Sequence, residues 1–282
     1  MTDLSKITPE WVRSRKDVGQ KLAALTAYDF PTARLLDEAG IPILLVGDSL
    51  AMVVLGYSDT TSLRLEEFIP HLAAVARAKP RALVVADFPS GTYRTPAEAL
   101  VTGEALMQAG AEAVKLEGGV EVSDSIRTLV AARIPVMAHI GLLPQSAGRR
   151  FRKVGRQPEE RERILADARA VEEAGAFSVV VEATDAGLTA EITRRLRIPT
   201  IGIGSGSECD GQILVFHDLV GLFPWFRPRF AEPKADLARV IREAARLFLA
   251  ETQANASSAP EGLLRSANSS GQNTVAGSSP KR

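Results

Sequence analysis

Four apolar runs in this 282-residue sequence stop at a carboxylate: ILLVGDS at Asp48, ALVVADFP at Asp87, AVKLEGG at Glu117 and FSVVVEAT at Glu182. A carboxylate is costly to bury without a partner. Acids released at one common edge of a parallel sheet therefore point to a bound cation rather than to surface decoration. Asp48, Asp87 and Glu117 end three successive runs. Three oxygen ligands suit Mg2+, which takes a few carboxylates and leaves its other positions to water and substrate. No cluster of His and Cys points to zinc. The plain alternative is three solvated loop acids paired with neighbouring Lys or Arg.

Lys115 lies two residues before Glu117, on the same face of an extended segment. Turned inward, its ammonium neutralises a substrate carboxylate beside the metal; turned outward, it reaches solvent from the strand end. Ser49, next to Asp48, either hydrogen-bonds a substrate or serves a turn. Glu182 stands apart from the other three acids. An acid facing the same cavity without sharing the metal is a candidate general base, with burial raising its pKa toward neutrality. The competing reading pairs it with an arginine such as Arg152. His139, in VMAHIG, reads as a hydrogen-bonded core histidine. The glycine-rich GIGSGSECDGQ, 202–212, either cradles an anion through backbone N–H groups or makes a tight turn.

Positioning these residues requires alternating strands and helices, and the sequence supplies them. Strands are expected at 21–29, 43–46, 82–86, 113–116, 135–140, 177–183 and 199–203, with an eighth weakly signalled within 213–222. Helices fill the gaps, and one at 235–251 closes the set. Three helices end in Ala-Gly (Gly40, Gly110, Gly175), the left-handed cap before the next strand. Three strands are entered by Ile-Pro, where a missing N–H is harmless. Eight such units favour a closed (β/α)8 TIM barrel over an open sheet, and no dinucleotide fingerprint follows the first strand. In a barrel, residues just past the C-terminal strand ends meet at one mouth. A helix near Thr8–Ser14 precedes the barrel. Residues 1–251 are expected as a single domain, and 252–282, rich in Ser, Asn, Gly, Ala and Gln, as a disordered tail.

Lys plus Arg and Asp plus Glu each number 34, so there is no electrostatic case for nucleic acid or an anionic membrane. The most membrane-like stretch, 41–57, is interrupted by Asp48 and its glycines. The charged N-terminal segment lacks the apolar run of a secretory signal. Cys209 is the only cysteine, which excludes an internal disulfide and makes the cytoplasm the expected compartment.

LTAYDFPTARLLDEAGIPILLVGDSL, VVADFP, AGAEAVKLEGG, HIGLLPQS and IPTIGIGSGSECDGQILVFHDLVGL follow one another in order. Together they resemble the ketopantoate hydroxymethyltransferase (3-methyl-2-oxobutanoate hydroxymethyltransferase) family, of the phosphoenolpyruvate/pyruvate group of β/α barrels. The resemblance implies a cytoplasmic enzyme of pantothenate biosynthesis with one Mg2+ per subunit. It implies transfer of a hydroxymethyl group from 5,10-methylenetetrahydrofolate to 3-methyl-2-oxobutanoate, giving 2-dehydropantoate. The family's metal residues fall on Asp48, Asp87 and Glu117, the last through water or directly. Its substrate contacts fall on Asp48, Ser49, Asp87 and Lys115, and its proton acceptor on Glu182. The family also implies a homo-oligomer, a decamer. Segments 60–64, 89–92 and 143–157 depart from the family's usual wording and are expected to line the pocket. The rival readings are a barrel paralogue acting as a Mg2+-dependent C–C lyase or mutase on another 2-oxo acid, and a non-catalytic paralogue.

Overall fold

Short aliphatic runs form eight parallel strands in the computed structural model, which describes residues 5–147 and 152–257. They are β1 (Leu22–Thr26), β2 (Ile43–Val46), β3 (Leu83–Asp87), β4 (Ala113–Glu117), β5 (Val136–Gly141), β6 (Ser178–Glu182), β7 (Thr200–Ile203) and β8 (Gly211–Leu214). Each pairs with its neighbours in sequence, and β8 returns to β1 with Leu22 opposite Gly211, so the sheet is a closed barrel. Closure removes the exposed edges that an open sheet would have to protect.

Local sequence sets the helices between them. Asp29 accepts from Thr32 N (2.8 Å) and Thr95 from Glu98 N (3.2 Å), so each caps a helix that carries proline in its first turn, Phe30–Glu38 and Pro96–Gln108. Gly110 has a φ of +106°, and a Cβ there would stand 2.4 Å from the Ala76 methyl. Both the backbone and the neighbouring helix Leu65–Arg77 therefore demand glycine at that cap.

Two apolar layers hold the barrel. The inner one contains Ile43, Leu45, Leu83, Val85, Met137, Val180 and Ile201. The outer one lies between strands and helices, with Leu72, Leu106, Ile126, Leu129 and Val171. Val12, fully buried, joins the inner layer from the N-terminal helix Pro9–Asp17, and Lys6 Nζ donates to Ala82 O (2.6 Å) just before β3. That helix closes the N-terminal end of the barrel, so only the opposite end remains for a ligand.

Several boundaries differ from the sequence expectation. β1 stops at Thr26, because Asp29 is already committed to capping the next helix. β8 begins earlier than expected, at Gly211, and most of 213–222 is taken by a short helix, Phe216–Leu219. The apolar signal of ILVF lies downstream, but pairing with β1 draws the glycine-led segment into the ladder. Segment 202–212 makes the β7-to-β8 connection, and its Asp210 carboxylate binds Lys16 Nζ (2.7 Å) and Thr200 N (2.9 Å).

The chain separates into two compact units, one up to Ala235 and one from Asp236. In the second, a helix Leu237–Ser257 is opened by Asp236 Oδ1, which accepts from Arg239 N (3.0 Å). It runs past the expected boundary at 251, so residues 252–257 are helical; the rest of the expected tail, 258–282, lies outside the described residues. No helix among the described residues is long and apolar enough to cross a membrane.

Candidate active site

Parallel register carries the polar side chains to one mouth. Asp87 is the Cα partner of Lys115, and Glu117 of His139; His139 in turn pairs with Val180, two residues before Glu182. Partners in register share a face, and residues two apart return to it. Asp87, Lys115, Glu117, His139 and Glu182 thus all face the barrel axis at the C-terminal strand ends. Asp48 joins them two residues beyond β2.

Asp87 is the hub of their contacts. Its Oδ1 accepts from Lys115 Nζ (2.5 Å) and its Oδ2 from the Asp48 backbone N–H (2.9 Å). Lys115 therefore points inward, the first of the two orientations open to it in sequence. Gln145 ties the other two acids together: its side-chain amide donates to Asp48 Oδ2 (2.9 Å) and its backbone N–H to Glu117 Oε2 (3.0 Å). Ser49 Oγ shares a 2.7 Å hydrogen bond with Tyr28 Oη and lines the same cavity.

Four carboxylates surround one ammonium here: Asp48, Asp87, Glu117 and Lys115 are each 7% exposed or less, and the Glu182 side chain is 14% exposed. Burial, reinforced by the charge of Asp87, pushes Asp48 up to about 7. Burial and then Asp48 drive Glu117 well above the usual carboxylate range. Burial also raises Glu182 to about 7, against the pull of Lys115. Burial disfavours the Lys115 ammonium, but Asp87, Asp48 and Glu117 outweigh it and hold the charge in place. The excess of negative charge is what a divalent cation would relieve.

His139 is not the hydrogen-bonded core residue expected from sequence. Both of its buried ring nitrogens lack a hydrogen-bond partner among the described residues. Nε2 lies 3.2 Å from Glu182 Oε2 and Nδ1 3.6 Å from Glu117 Oε1, neither aligned as a hydrogen bond. Burial and then the Lys115 charge push its pKa well below the ordinary value, so the ring is neutral. Nor does Glu182 pair with Arg152, whose guanidinium binds Glu160 instead.

Among the described residues, no three His, Cys, Asp or Glu side chains converge closely enough to hold a metal ready-made. The donor set nonetheless fits Mg2+. It offers only oxygen, it is over-charged in the negative sense, and Mg2+ commonly binds through one or two carboxylates while keeping its waters. The cavity that includes the acids has a volume of about 1450 Å3 and extends along β1 and β8 to Leu22 and Gly211; Asp48, Ser49, Asp87, Lys115, Glu117 and Glu182 line it together.

Residues 6–258 match the family model of ketopantoate hydroxymethyltransferase. The chain belongs to the ketopantoate hydroxymethyltransferase family. The 3-methyl-2-oxobutanoate hydroxymethyltransferase of Pyrobaculum calidifontis is 53% identical over 86% of this chain and 92% of its own length. That of Chloroflexus aurantiacus is 47% identical over 91% and 92%. Among solved structures, phosphonopyruvate hydrolase in complex with oxalate and Mg2+ superposes with a TM-score of 0.60 at 15% identity, covering 88% of each chain. 2,3-Dimethylmalate lyase, a PEP mutase/isocitrate lyase superfamily member, gives 0.55 at 19%, covering 90% and 89%. These two share the fold.

Two further residues at the site of this ketopantoate hydroxymethyltransferase family member fall within segments expected to line the pocket, although the sequence assigned neither a role. Gln145 lies within the HIGLLPQS motif, yet nothing in its spacing marks it as the link between two acids. Tyr93 Oη donates to its Oε1 (2.6 Å), fixing the amide so that its NH2 faces Asp48. We expect Gln145→Ala to weaken Mg2+-dependent activity about tenfold or more, the usual cost of losing an outer hydrogen bond to a metal ligand. Titration of activity with Mg2+ would check this; an unchanged Mg2+ requirement would rule out an orienting role. Thr60 is a second addition: it lines the cavity, and its buried Oγ1 has no partner among the described residues. The variant segments divide. Thr60, Pro144, Arg152 and Lys153 line the cavity, segment 89–92 does not, and Arg149 to Phe151 lie outside the described residues.

Two predictions arise from the electrostatics. Lys115→Met leaves Asp87 buried without its ammonium, which costs about 3–5 kcal/mol of stability; urea unfolding would measure it, and a loss near zero would show that the pair is not structurally buried. The second concerns pH. Asp48, raised to about 7 when folded, binds its proton more tightly folded than unfolded. Its contribution to stability is therefore complete below about 4, near its ordinary value, and is lost as pH rises through about 7. Mg2+ competes with those protons, so the rise in Tm produced by Mg2+ should be larger at pH 8 than at pH 5.5. An equal or smaller rise at pH 8 would contradict metal binding by these acids.

Proposed function

We propose that this enzyme transfers a hydroxymethyl group from 5,10-methylenetetrahydrofolate to 3-methyl-2-oxobutanoate, giving 2-dehydropantoate, and that the barrel mouth is where it does so. The observation that carries the reading is the convergence in one cavity of the buried Asp48, Asp87, Lys115 and Glu117 with the mostly buried Glu182. Asp48 and Asp87 would hold Mg2+, with Glu117 reaching it through water, and the bound ion would draw electron density from the keto oxygen of the substrate.

Each remaining part falls to a residue of the chain. Lys115 offsets the charge of the substrate carboxylate and of the developing enolate. Ser49 donates a hydrogen bond to the bound acid, its hydroxyl oriented by Tyr28. Glu182, with its pKa brought to about 7 by burial, accepts the C3 proton. In the net reaction C3 bonds to the folate methylene carbon, which takes a hydroxyl from water as its two bonds to folate nitrogen break. We further propose that the enzyme is cytoplasmic and acts as a homo-oligomer.

The test is exchange of the C3 proton of 3-methyl-2-oxobutanoate into deuterium oxide with Mg2+ and no folate. Exchange that depends on Mg2+, followed by 2-dehydropantoate formation once methylenetetrahydrofolate is added, is the expected result. Exchange without product would favour a lyase or mutase acting on another oxo acid. Binding without exchange would leave a non-catalytic paralogue.

A further inference from the structure

The cavity is larger than a five-carbon oxo acid needs. Pockets of roughly 300–1,000 Å3 already enclose drug-sized ligands, and this one reaches about 1450 Å3. Its outer wall is formed by the segment FPWFRPRF, 223–230, which holds four of the chain's fifteen aromatic residues. Phe223, Phe226, Arg227, Arg229 and Phe230 all line the cavity, as does Lys153, whose neighbour Val154 bridges to Thr184 just past β6. The Phe230 ring lies over the backbone of Gly204, where even a methyl group would stand 2.7 Å from it. The aromatic wall is thereby pressed onto the end of β7, close above the acids.

Charge is distributed unevenly between floor and rim. The floor holds the four carboxylates, whereas the rim carries Lys153, Arg227 and Arg229, none of them ion-paired to another described residue. Arg152, also at the rim, is already engaged by Glu160. Asp218, itself buried, is a fifth acid among the described residues lining the cavity, and burial raises it to about 6. A ligand that fits this gradient is flat and uncharged at one end and carries carboxylates at the other. Oriented oppositely, its anionic end would meet the acidic floor.

We infer that the rim is the folate subsite: Phe223, Phe226 and Phe230 face the pteridine and benzoyl rings, and Lys153, Arg227 and Arg229 bind the carboxylates of the glutamyl tail. The inference rests on the transfer reaction proposed above and adds to it the recognition of the one-carbon donor. Aromatic side chains stack on a flat heterocycle with little demand on its identity. Guanidinium groups match carboxylates in a bidentate manner, and further glutamates on the tail would extend along the same cationic edge. The pteridine end, which carries the one-carbon unit, is thereby directed inward to the enolate.

The full-length Arg227→Ala/Arg229→Ala variant tests this, because both arginines are exposed whereas the acids are buried or nearly so, and C3 exchange needs no folate. The expected result is a KM for methylenetetrahydrofolate raised about tenfold, the scale of a lost charge-assisted contact, with a larger rise for the triglutamyl than for the monoglutamyl form. C3 exchange and the KM for the oxo acid should stay at the unaltered protein's values, which also shows that the variant is folded. An unchanged folate KM beside normal exchange would overturn the rim assignment alone. A fall in exchange together with folate affinity would also overturn it, by making the arginines structural. Absence of exchange in the unaltered protein would instead overturn the enolate reading, and this inference with it.

Discussion

Asp48→Asn is expected to abolish Mg2+-dependent C3 exchange while making the metal-free protein more stable. The residue is almost fully buried, and it is charged only against the opposition of its surroundings and of Asp87. Asparagine keeps an oxygen to accept the Gln145 amide proton but brings no charge. The fold loses an unfavourable ionisation, and the site loses an anionic ligand. Metal stabilisation of an enolate is worth several kcal/mol, so losing it should lower exchange by about a thousandfold. Stability of the metal-free form should rise by about 1 kcal/mol, the common exchange between activity and stability at a strained site. Exchange rates and urea unfolding of the same preparation measure both. Full activity in Asp48→Asn would remove the residue from the metal site. Asp87→Ala should be as inactive but less stable, since it strips Lys115 of its partner and Asp48 N of its acceptor.

Glu182→Gln should separate proton transfer from binding. Glutamine has nearly the same shape and cannot accept the C3 proton, so exchange should fall about 10^2- to 10^4-fold, the range of general-base catalysis. Mg2+-induced stabilisation and binding of the oxo acid should persist, because Asp48, Asp87 and Lys115 are untouched. In the unaltered enzyme, exchange should increase with pH as Glu182 ionises, with its midpoint at or below about 7, because a bound cation favours the carboxylate. The variant's residual rate should lack that rise. A variant that keeps the rise would assign the base to another group.

Much of the architecture was legible because it is local. Thr95 before Pro96, Ala-Gly at three helix ends and Ile-Pro before three strands each act within a few residues, and alternation followed from them. The eighth strand was blurred because its signal is not local: Gly211 to Leu214 is a strand by virtue of pairing with Leu22 to Leu25, 189 positions earlier. The acids were visible for the same kind of reason as the helices, since a carboxylate at the end of an apolar run is anomalous wherever the run packs.

The sequence alone determined which acids would arrive at the mouth, because strand parity and a closed ring leave them no other place. Only the tertiary structure decided how they divide their roles. The Gln145 amide reaches Asp48 across 97 residues of chain, and Lys115 meets Asp87 across 28. His139 stands between Glu117 and Glu182 because three strands bring them side by side. Distances of 2.5–3.6 Å between groups so far apart in sequence are set by barrel register and closure. Those distances, with the exclusion of water, fix which carboxylate is neutralised, which is repelled and which is left to take a proton.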